Sequence, residues 1–164
     1  MEKIEKIIAN PLYVDYLKRN GDAEAGRIFC SHDFDHVVET ARLTYILILE
    51  EGNPFISREI AYAAGLLHDI GRWAEYQNGT DHALKSSDLA EEILTEAGFS
   101  LAETRLIQEA ISEHRDKNSN HGSISSLSAA LARADNLTRK CFCCSSREKC
   151  NKNEQQPNMN TLLY

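Results

Sequence analysis

The fold of this chain is decided by one stretch, Ala63-Ala64-Gly65-Leu66-Leu67-His68-Asp69-Ile70-Gly71-Arg72. In it, a run of small and apolar residues leads directly into an imidazole next to a carboxylate. Burying two adjacent ionisable side chains at the end of an apolar helix costs free energy unless something neutralises them. Neutral imidazole and carboxylate are both good ligands for zinc, iron and manganese. The stretch therefore indicates a buried metal site built around His68 and Asp69.

Length and composition indicate one globular domain. The chain has 164 residues, of which 42% are hydrophobic and 26% are charged, which is enough for a sizeable core. It has no run of about 18 apolar residues and no signal-peptide core near its N-terminus, so we expect a cytoplasmic protein with no membrane partner. The formal net charge of −7 argues against general nucleic-acid binding, which normally uses a basic surface. A small phosphorylated substrate held through metal ions is compatible with this charge.

Apolar residues recur at helical spacing along most of the chain, and residues that cap helices separate the segments. No segment has the pattern of a β-strand, so the sequence predicts an all-α bundle of about six to seven helices. The predicted helices cover about residues 11–20, 34–51, 58–67, 81–97, 101–114 and 123–140, with a short further piece at 22–29. The segments 71–80 and 115–122 are predicted to be loops.

Four of the six histidines fall where predicted helices begin, end or face inward, and two aspartates accompany them. These six residues are His36, His68, Asp69, His82, His114 and Asp135. A bundle can bring them to one centre, because convergent ligands from facing helices are how helical bundles build metal sites. The other two histidines, His32 and His121, do not fit this pattern, and we expect them to lie in loops or at the surface.

The order of these residues resembles the H…HD…D signature of the HD-domain superfamily of metal-dependent phosphohydrolases. The surrounding sequence agrees over residues 35–43 (DHVVETARL), 65–71 (GLLHDIG) and 132–135 (ARAD), and the resemblance covers roughly residues 30–140. We therefore expect an HD-type helical metal-binding domain at residues 1–140. A cysteine-containing extension, residues 141–164, is expected to pack on the same domain.

His82 and His114 are similar to the extra histidines that HD subgroups with two metal ions carry between the HD pair and the final aspartate. This resemblance implies two divalent ions bridged by Asp69. One ion would be held by His36, His68 and Asp135, and the other by His82 and His114. The identity of the metal is left open among iron, manganese, zinc, nickel and magnesium. The GYP motif of the cyclic-dinucleotide phosphodiesterase subgroup is absent after the HD pair, so that subgroup is not indicated.

The resemblance implies hydrolysis of a nucleotide, or of another small phosphate ester or anhydride, by a metal-activated hydroxide. Asp69 and Arg72 are the expected catalytic residues, since Arg72 follows the HD turn directly and can neutralise developing phosphate charge. Arg72, Lys85 and Arg133 are the expected substrate-binding residues. Two alternatives stay open: a di-iron HD-type oxygenase with the same ligand set, and a non-catalytic metal-binding regulatory module.

The cysteines form a separate pattern near the end of the chain. Cys141, Cys144 and Cys150 have the spacing C-x2-C-x5-C, which is compatible with structural zinc or an iron–sulfur cluster. Cys30 lies six residues before His36, and Cys141 lies six residues after Asp135. Because His36 and Asp135 are predicted ligands of the same ion, both cysteines would emerge at one end if the two helices run antiparallel. The sequence therefore predicts a second, structural metal site at Cys30, Cys141, Cys144 and Cys150. The alternative is a group of thiols that binds no metal and forms disulfides on isolation.

Overall fold

Capping side chains begin most of the helices of this chain. Asn10, Asp33, Ser57, Asp81 and Ser100 each accept a hydrogen bond from a backbone N–H in the first turn of the following helix, which satisfies donors that the helix leaves unpaired.

A computed structural model describes residues 1–115, 126–150 and 164. Its α-helices are α1 (Glu2–Ala9), α2 (Pro11–Ala23), α3 (Phe34–Glu50), α4 (Arg58–Leu67), α5 (Arg72–Asn78), α6 (His82–Ala97), α7 (Leu101–Glu113) and α8 (Ser126–Leu137). Of these described helices, none is long and apolar enough to cross a membrane.

The predicted all-α fold is confirmed. In the described ranges the chain forms eight α-helices and two short 3-10 turns, Cys141–Cys143 and Arg147–Lys149, and no strand. The helices outnumber the predicted six to seven because α1 and α5 form where the sequence predicted no helix. Helix α5 occupies most of the predicted loop at 71–80, and Gly79 ends it with a φ of 77°. Glycine adopts this left-handed conformation without the steric cost that other residues meet.

Two further predicted elements differ from the structure. The piece at 22–29 is not a separate helix, because α2 continues to Ala23 and the chain then turns. Helix α8 covers Ser126–Leu137 and ends before the predicted residue 140. The start of that predicted helix and most of the predicted loop at 115–122 lie outside the described residues.

Helices α3 and α4 pack tightly against each other at Gly65. A Cβ atom at this position would lie 2.3 Å from the Cα atom of Ala41, so only the hydrogen of a glycine fits. Helix α3 also packs on α8, and α6 packs on α7. The close approach of α3 and α4 brings the ring of His36 to 5.4 Å from the ring of His68, measured between centroids.

The buried side chain of Asn20 attaches the HD turn and α5 to α2. Its amide donates to the backbone carbonyl of Asp69 over 2.8 Å. Its side-chain oxygen accepts from the backbone N–H of Trp73, also over 2.8 Å. The N–H of Trp73 lies in the first turn of α5, where the helix itself supplies no acceptor, whereas the carbonyl of Asp69 also accepts from the backbone N–H of Arg72 over 3.0 Å.

Candidate metal centre

The ends and facing turns of five helices bring the six predicted ligands to one region. Their ligand atoms form two groups, and within each group all of these atoms lie within 4.8 Å of one another. The first group is His36, His68, Asp69 and Asp135, and the second is Asp69, His82 and His114. The fold thus places together all six residues that the sequence pattern singled out.

Asp69 belongs to both groups, and each of its carboxylate oxygens faces one of them. Oδ2 lies 3.2 Å from Nε2 of His68 and 3.8 Å from Nε2 of His36. Oδ1 lies 3.1 Å from Nε2 of His82. Asp135 completes the first group, with its Oδ1 atom 3.3 Å from Nε2 of His36. A carboxylate that presents one oxygen to each group is suited to bridging two ions.

Backbone carbonyls orient the rings of His68 and His114. Nδ1 of His68 donates to the carbonyl of Gly65 over 2.7 Å. Nδ1 of His114 donates to the carbonyl of Ile111 over 2.6 Å. Metal-binding histidines almost always make such a hydrogen bond with the nitrogen that does not face the metal. Both rings are therefore fixed with Nε2 as the nitrogen available for a ligand bond.

Carboxylates orient two further imidazoles. Nδ1 of His82 is hydrogen-bonded to Glu75, and Nδ1 of His32 donates to Glu24 over 2.5 Å. Burial raises the pKa of Glu24, but its hydrogen bonds with His32 and Tyr76 outweigh that effect and lower the pKa to about 2. Sequence reasoning missed Glu24 and Glu75, because neither lies in the motif that identified the histidines.

His32 lies in a loop, as predicted, but not at the surface. Only 2% of the residue is exposed, because Glu24, just after α2, holds the ring inside the protein. Its Nε2 atom lies 3.9 Å from Oδ2 of Asp69, and its ring centroid is 5.4 Å from that of His36. His32 therefore adjoins the first group. His121, for which the same prediction was made, lies outside the described residues.

Several nitrogen atoms of the centre are buried without a normal hydrogen bond. The Nε2 atoms of His32, His36 and His68 make none with the described residues, although carboxylate oxygens lie nearby. Buried polar atoms left in this way are rare and costly in folded proteins. A divalent cation bound by imidazole nitrogens and carboxylate oxygens would satisfy them, so the side chains present fit a metal ion.

The electrostatics of the centre also favour a cation. Burial opposes protonation of His68, but Asp69 and Asp135 outweigh it and raise its pKa to about 10. Burial also opposes ionisation of both aspartates, yet their histidine neighbours hold each carboxyl pKa well below its usual range. Burial, followed by the charge of His68, lowers the pKa of His114 to about 4. The two buried carboxylates are thus held in the ionised form, and a cation would balance their charge.

Arg72 lies closest to the centre of the three cations predicted to bind substrate. Its Nη1 atom lies 2.9 Å from both ring nitrogens of His82 and 3.9 Å from Oδ1 of Asp69. Its guanidinium carbon lies 5.6 Å from the ring centroid of Tyr76. Arg115, which sequence reasoning missed, reaches the same edge, with Nη1 3.4 Å from Nδ1 of His82. Arg72 and Arg115 therefore place positive charge beside the second group.

Lys85 and Arg133 are placed differently from each other. Lys85 is half-buried on α6, where its backbone packs against Gly71. Arg133 is exposed and donates to the hydroxyl of Tyr164 over 3.1 Å. Tyr164 in turn donates to Glu50 over 2.8 Å. These contacts direct Arg133 towards Tyr164, and its role in substrate binding stays a prediction.

An open groove leads to one side of the centre. It lies between the segment that precedes α3 and the residues that follow α8, and its lining includes Ile28, Cys30, His36, Arg139 and Cys141. The side chain of His36 is 10% exposed, whereas that of Asp69 is 3% exposed. The centre is therefore more exposed at His36, which lines this groove, than at Asp69.

The five cysteines are free thiols. Cys30, Cys141, Cys144 and Cys150 are half-buried, and Cys143 is exposed. Neither of the two close groups of ligand atoms includes a cysteine. The predicted structural metal site at the four half-buried cysteines therefore stays a prediction.

Comparison with known proteins identifies the family. Residues 33–140 match the family model described as HD domain, so the chain belongs to the HD-domain family. It is also 35% identical over 158 residues to an uncharacterized protein of Clostridium beijerinckii, an alignment that covers 96% of this chain and 97% of that relative. No solved structure matches. HD domains are typically metal-dependent phosphohydrolases, and their substrates are phosphorylated compounds.

Proposed function

We propose that this protein is a metal-dependent phosphohydrolase that acts on a nucleotide or another small phosphate ester or anhydride. The observation that carries the proposal is the position of Asp69, which presents one carboxylate oxygen to each of two groups of buried ligand atoms. The membership of the chain in the HD-domain family supports the same reaction class. A site without ions to bind would not need this accumulation of inward-facing imidazole nitrogens.

In this proposal the two groups hold two divalent ions. His36, His68, Asp69 and Asp135 would bind one ion, and Asp69, His82 and His114 would bind the other. The donors are imidazole nitrogens and carboxylate oxygens, a set that suits iron, manganese, zinc or nickel better than magnesium, which prefers oxygen ligands alone. When bound, two such ions lower the pKa of a water molecule and polarise a phosphoryl oxygen.

The residues of the chain would position the substrate and balance its charge. Arg72, beside Asp69 and His82, would neutralise negative charge on the phosphoryl group as it is transferred to water. Its contacts with Tyr76 and Glu75 hold the guanidinium in place, so little conformational entropy is lost when substrate arrives. Lys85 would supply a second, more weakly placed positive charge.

The experiment compares wild type with Asp69→Asn, using elemental analysis and the release of phosphate from a panel of nucleotides. Asparagine cannot offer two anionic oxygens, so we expect loss of both ions. The loss of hydrolysis should exceed the roughly 10–100-fold loss that follows removal of an outer partner of a metal site. The matched control is Asp88→Asn, at an exposed position of α6, which should keep both metal and activity.

The same assays separate the proposal from its alternatives. His82→Ala should retain one ion of two, whereas an unchanged single ion in wild type and variant would overturn the two-metal assignment. Fully metallated protein that hydrolyses no phosphate compound would indicate a regulatory module instead. Bound iron with oxygen uptake that depends on an organic substrate would indicate an oxygenase.

A further inference from the structure

The antiparallel packing of α3 and α8 brings Cys30 near the cysteines of the C-terminal segment. At one end of the pair, Ser126 donates to Glu51 over 2.6 Å. At the other end, Nζ of Lys140 donates to Glu39 over 2.8 Å. The residues just before α3 and just after α8 therefore lie side by side. Cys30 belongs to the first of these segments.

The segment after α8 folds back onto the segment that carries Cys30. The backbone N–H of Cys144 donates to the carbonyl of Cys141 over 3.3 Å, which closes a turn between the two cysteines. The second 3-10 turn, Arg147–Lys149, ends at Cys150. Between the turns, the hydroxyl of Ser146 donates to the backbone carbonyl of Ile28 over 2.5 Å. Ile28 lies two residues before Cys30 in the chain. The hydrogen bond therefore holds the two cysteine turns against the segment that carries Cys30.

Three other thiols lie close enough to Cys141 to influence its pKa. Burial raises the pKa of Cys141, and Cys30 raises it further, with Cys144 and Cys150 acting in the same direction. The thiol of Cys141, whose ionisation the three neighbouring thiols oppose, is stabilised as a thiolate when a cation joins the four. Cys143 is different, because it is exposed and its sulfur contacts the backbone carbonyl of Lys140 at 3.5 Å.

We propose that Cys30, Cys141, Cys144 and Cys150 bind one zinc ion as four thiolates, at a structural site separate from the His/Asp centre. Two cysteines separated by two residues on a tight turn are a common half of such sites, and the other ligands complete a closed tetrahedron. The sulfur atoms stand further apart than the ligand atoms of the His/Asp groups. Binding would therefore draw the two turns towards Cys30, with Zn–S distances of about 2.3 Å.

Arg139 connects this site to the His/Asp centre. Against the opposing effect of burial, Asp135, followed by Cys30, raises the pKa of the Arg139 guanidinium, and Nη2 of Arg139 donates to Oδ1 of Asp135 over 3.0 Å. A zinc ion at the cysteines would therefore hold together the beginning of α3 and the end of α8. These are the two places from which His36 and Asp135 reach the centre, so the zinc site would stabilise the geometry of the first group.

Cobalt substitution distinguishes the two kinds of site. Wild type, Cys150→Ser and Cys143→Ser would be purified without oxidant, and their zinc content would be measured before replacement of the metal by cobalt. Thiolate–cobalt bonds give charge-transfer absorption that imidazole and carboxylate ligands do not give. We expect wild type and Cys143→Ser to show one zinc ion more than Cys150→Ser, together with the thiolate–cobalt absorption. Cys150→Ser should show neither and should melt at a lower temperature.

The outcomes also separate this proposal from the hydrolase proposal. His82→Ala should leave the thiolate–cobalt absorption unchanged, because only the His/Asp centre is altered. The zinc proposal is overturned if wild type lacks this absorption, if Cys143→Ser loses it as Cys150→Ser does, or if iron and inorganic sulfide are found instead. Should Cys150→Ser not fold, a thiol reagent tests wild type directly. One thiol should react at first and four more after a chelator is added, and five equally reactive thiols would refute the site.

Discussion

Replacement of Gly65 by alanine tests the packing on which the centre depends. The new Cβ would lie 2.3 Å from Cα, 2.5 Å from N and 2.8 Å from Cβ of Ala41. Ordinary contact for a Cβ atom begins at 3.4 Å, so α3 and α4 would have to separate by about 1 Å in a close-packed interior. Backbone atoms cannot rotate aside as the end of a side chain can. We therefore place the cost at the upper end of the roughly 1–3 kcal/mol found for overpacked cores.

Urea denaturation followed by circular dichroism measures this cost. For Gly65→Ala we expect the free energy of unfolding to fall by about 3 kcal/mol. Metal content should fall as well, because separation of α3 and α4 moves His36 away from His68. The matched control is Gly21→Ala in α2, where no atom lies within 4 Å of the new Cβ. Alanine there should raise the free energy of unfolding by up to about 1 kcal/mol.

Two results would refute the reasoning. If Gly65→Ala unfolded at the urea concentration of wild type, the close approach of the helices at this position would not exist in solution. If both alanine variants lost stability equally, the loss would reflect glycine replacement in general and not the contact with Ala41.

Three other substitutions give further tests. Asn20→Ala should cost about 1–3 kcal/mol, measured by urea denaturation, because it leaves the backbone N–H of Trp73 unpaired; an unchanged midpoint would contradict the bridging role of this amide. Ser57→Ala removes the side-chain cap of α4 and should lower the free energy of unfolding by about 1 kcal/mol. Ser57→Thr keeps the hydroxyl and should retain most of the stability that the cap contributes. Hydrogen bonds from the backbone N–H of Ser100 and, to a lesser extent, from Lys3 hold the pKa of Glu103 below its usual 4.5. The Glu103 carboxylate therefore stabilises the fold above pH 4.5. Its contribution is lost as the pH falls through the lowered pKa. Glu103→Gln should therefore reduce stability at neutral pH and weaken its decline in acid, and parallel pH profiles for variant and wild type would exclude this role.

The fold and the ligand set were predictable because their signals are local. Ser57 and Ser100 mark helix starts by their own side-chain chemistry, and apolar residues at helical spacing mark the buried faces. His68 and His114 stand directly after such helices, so a sequence pattern is enough to direct them towards the core. The order of the ligands then matched a known family.

The parts that sequence reasoning missed depend on contacts between distant segments. His32 is buried because Glu24 and Asp69 surround it, and no periodicity in residues 27–33 reveals this. Helix α5 forms in a segment without an apolar stripe because Asn20, on another helix, binds its first turn. The contact of Arg133 with Tyr164, 31 residues further along the chain, is likewise invisible to local patterns, and the role of Arg133 in substrate binding stays a prediction.

The directions of the helices that meet at the centre have a consequence for metal affinity. The C-terminus of an α-helix carries a partial negative charge of about half an elementary charge, because its last carbonyls point outward along the axis. Helices α4 and α7 end at the centre, but α3 and α6 begin there, with His36 in the first turn of α3 and His82 as the first residue of α6. The N-termini of α3 and α6 carry the opposite partial charge, so the four helix ends offset one another. Attraction for a cation therefore has to come from the side chains, above all from the carboxylates of Asp69 and Asp135.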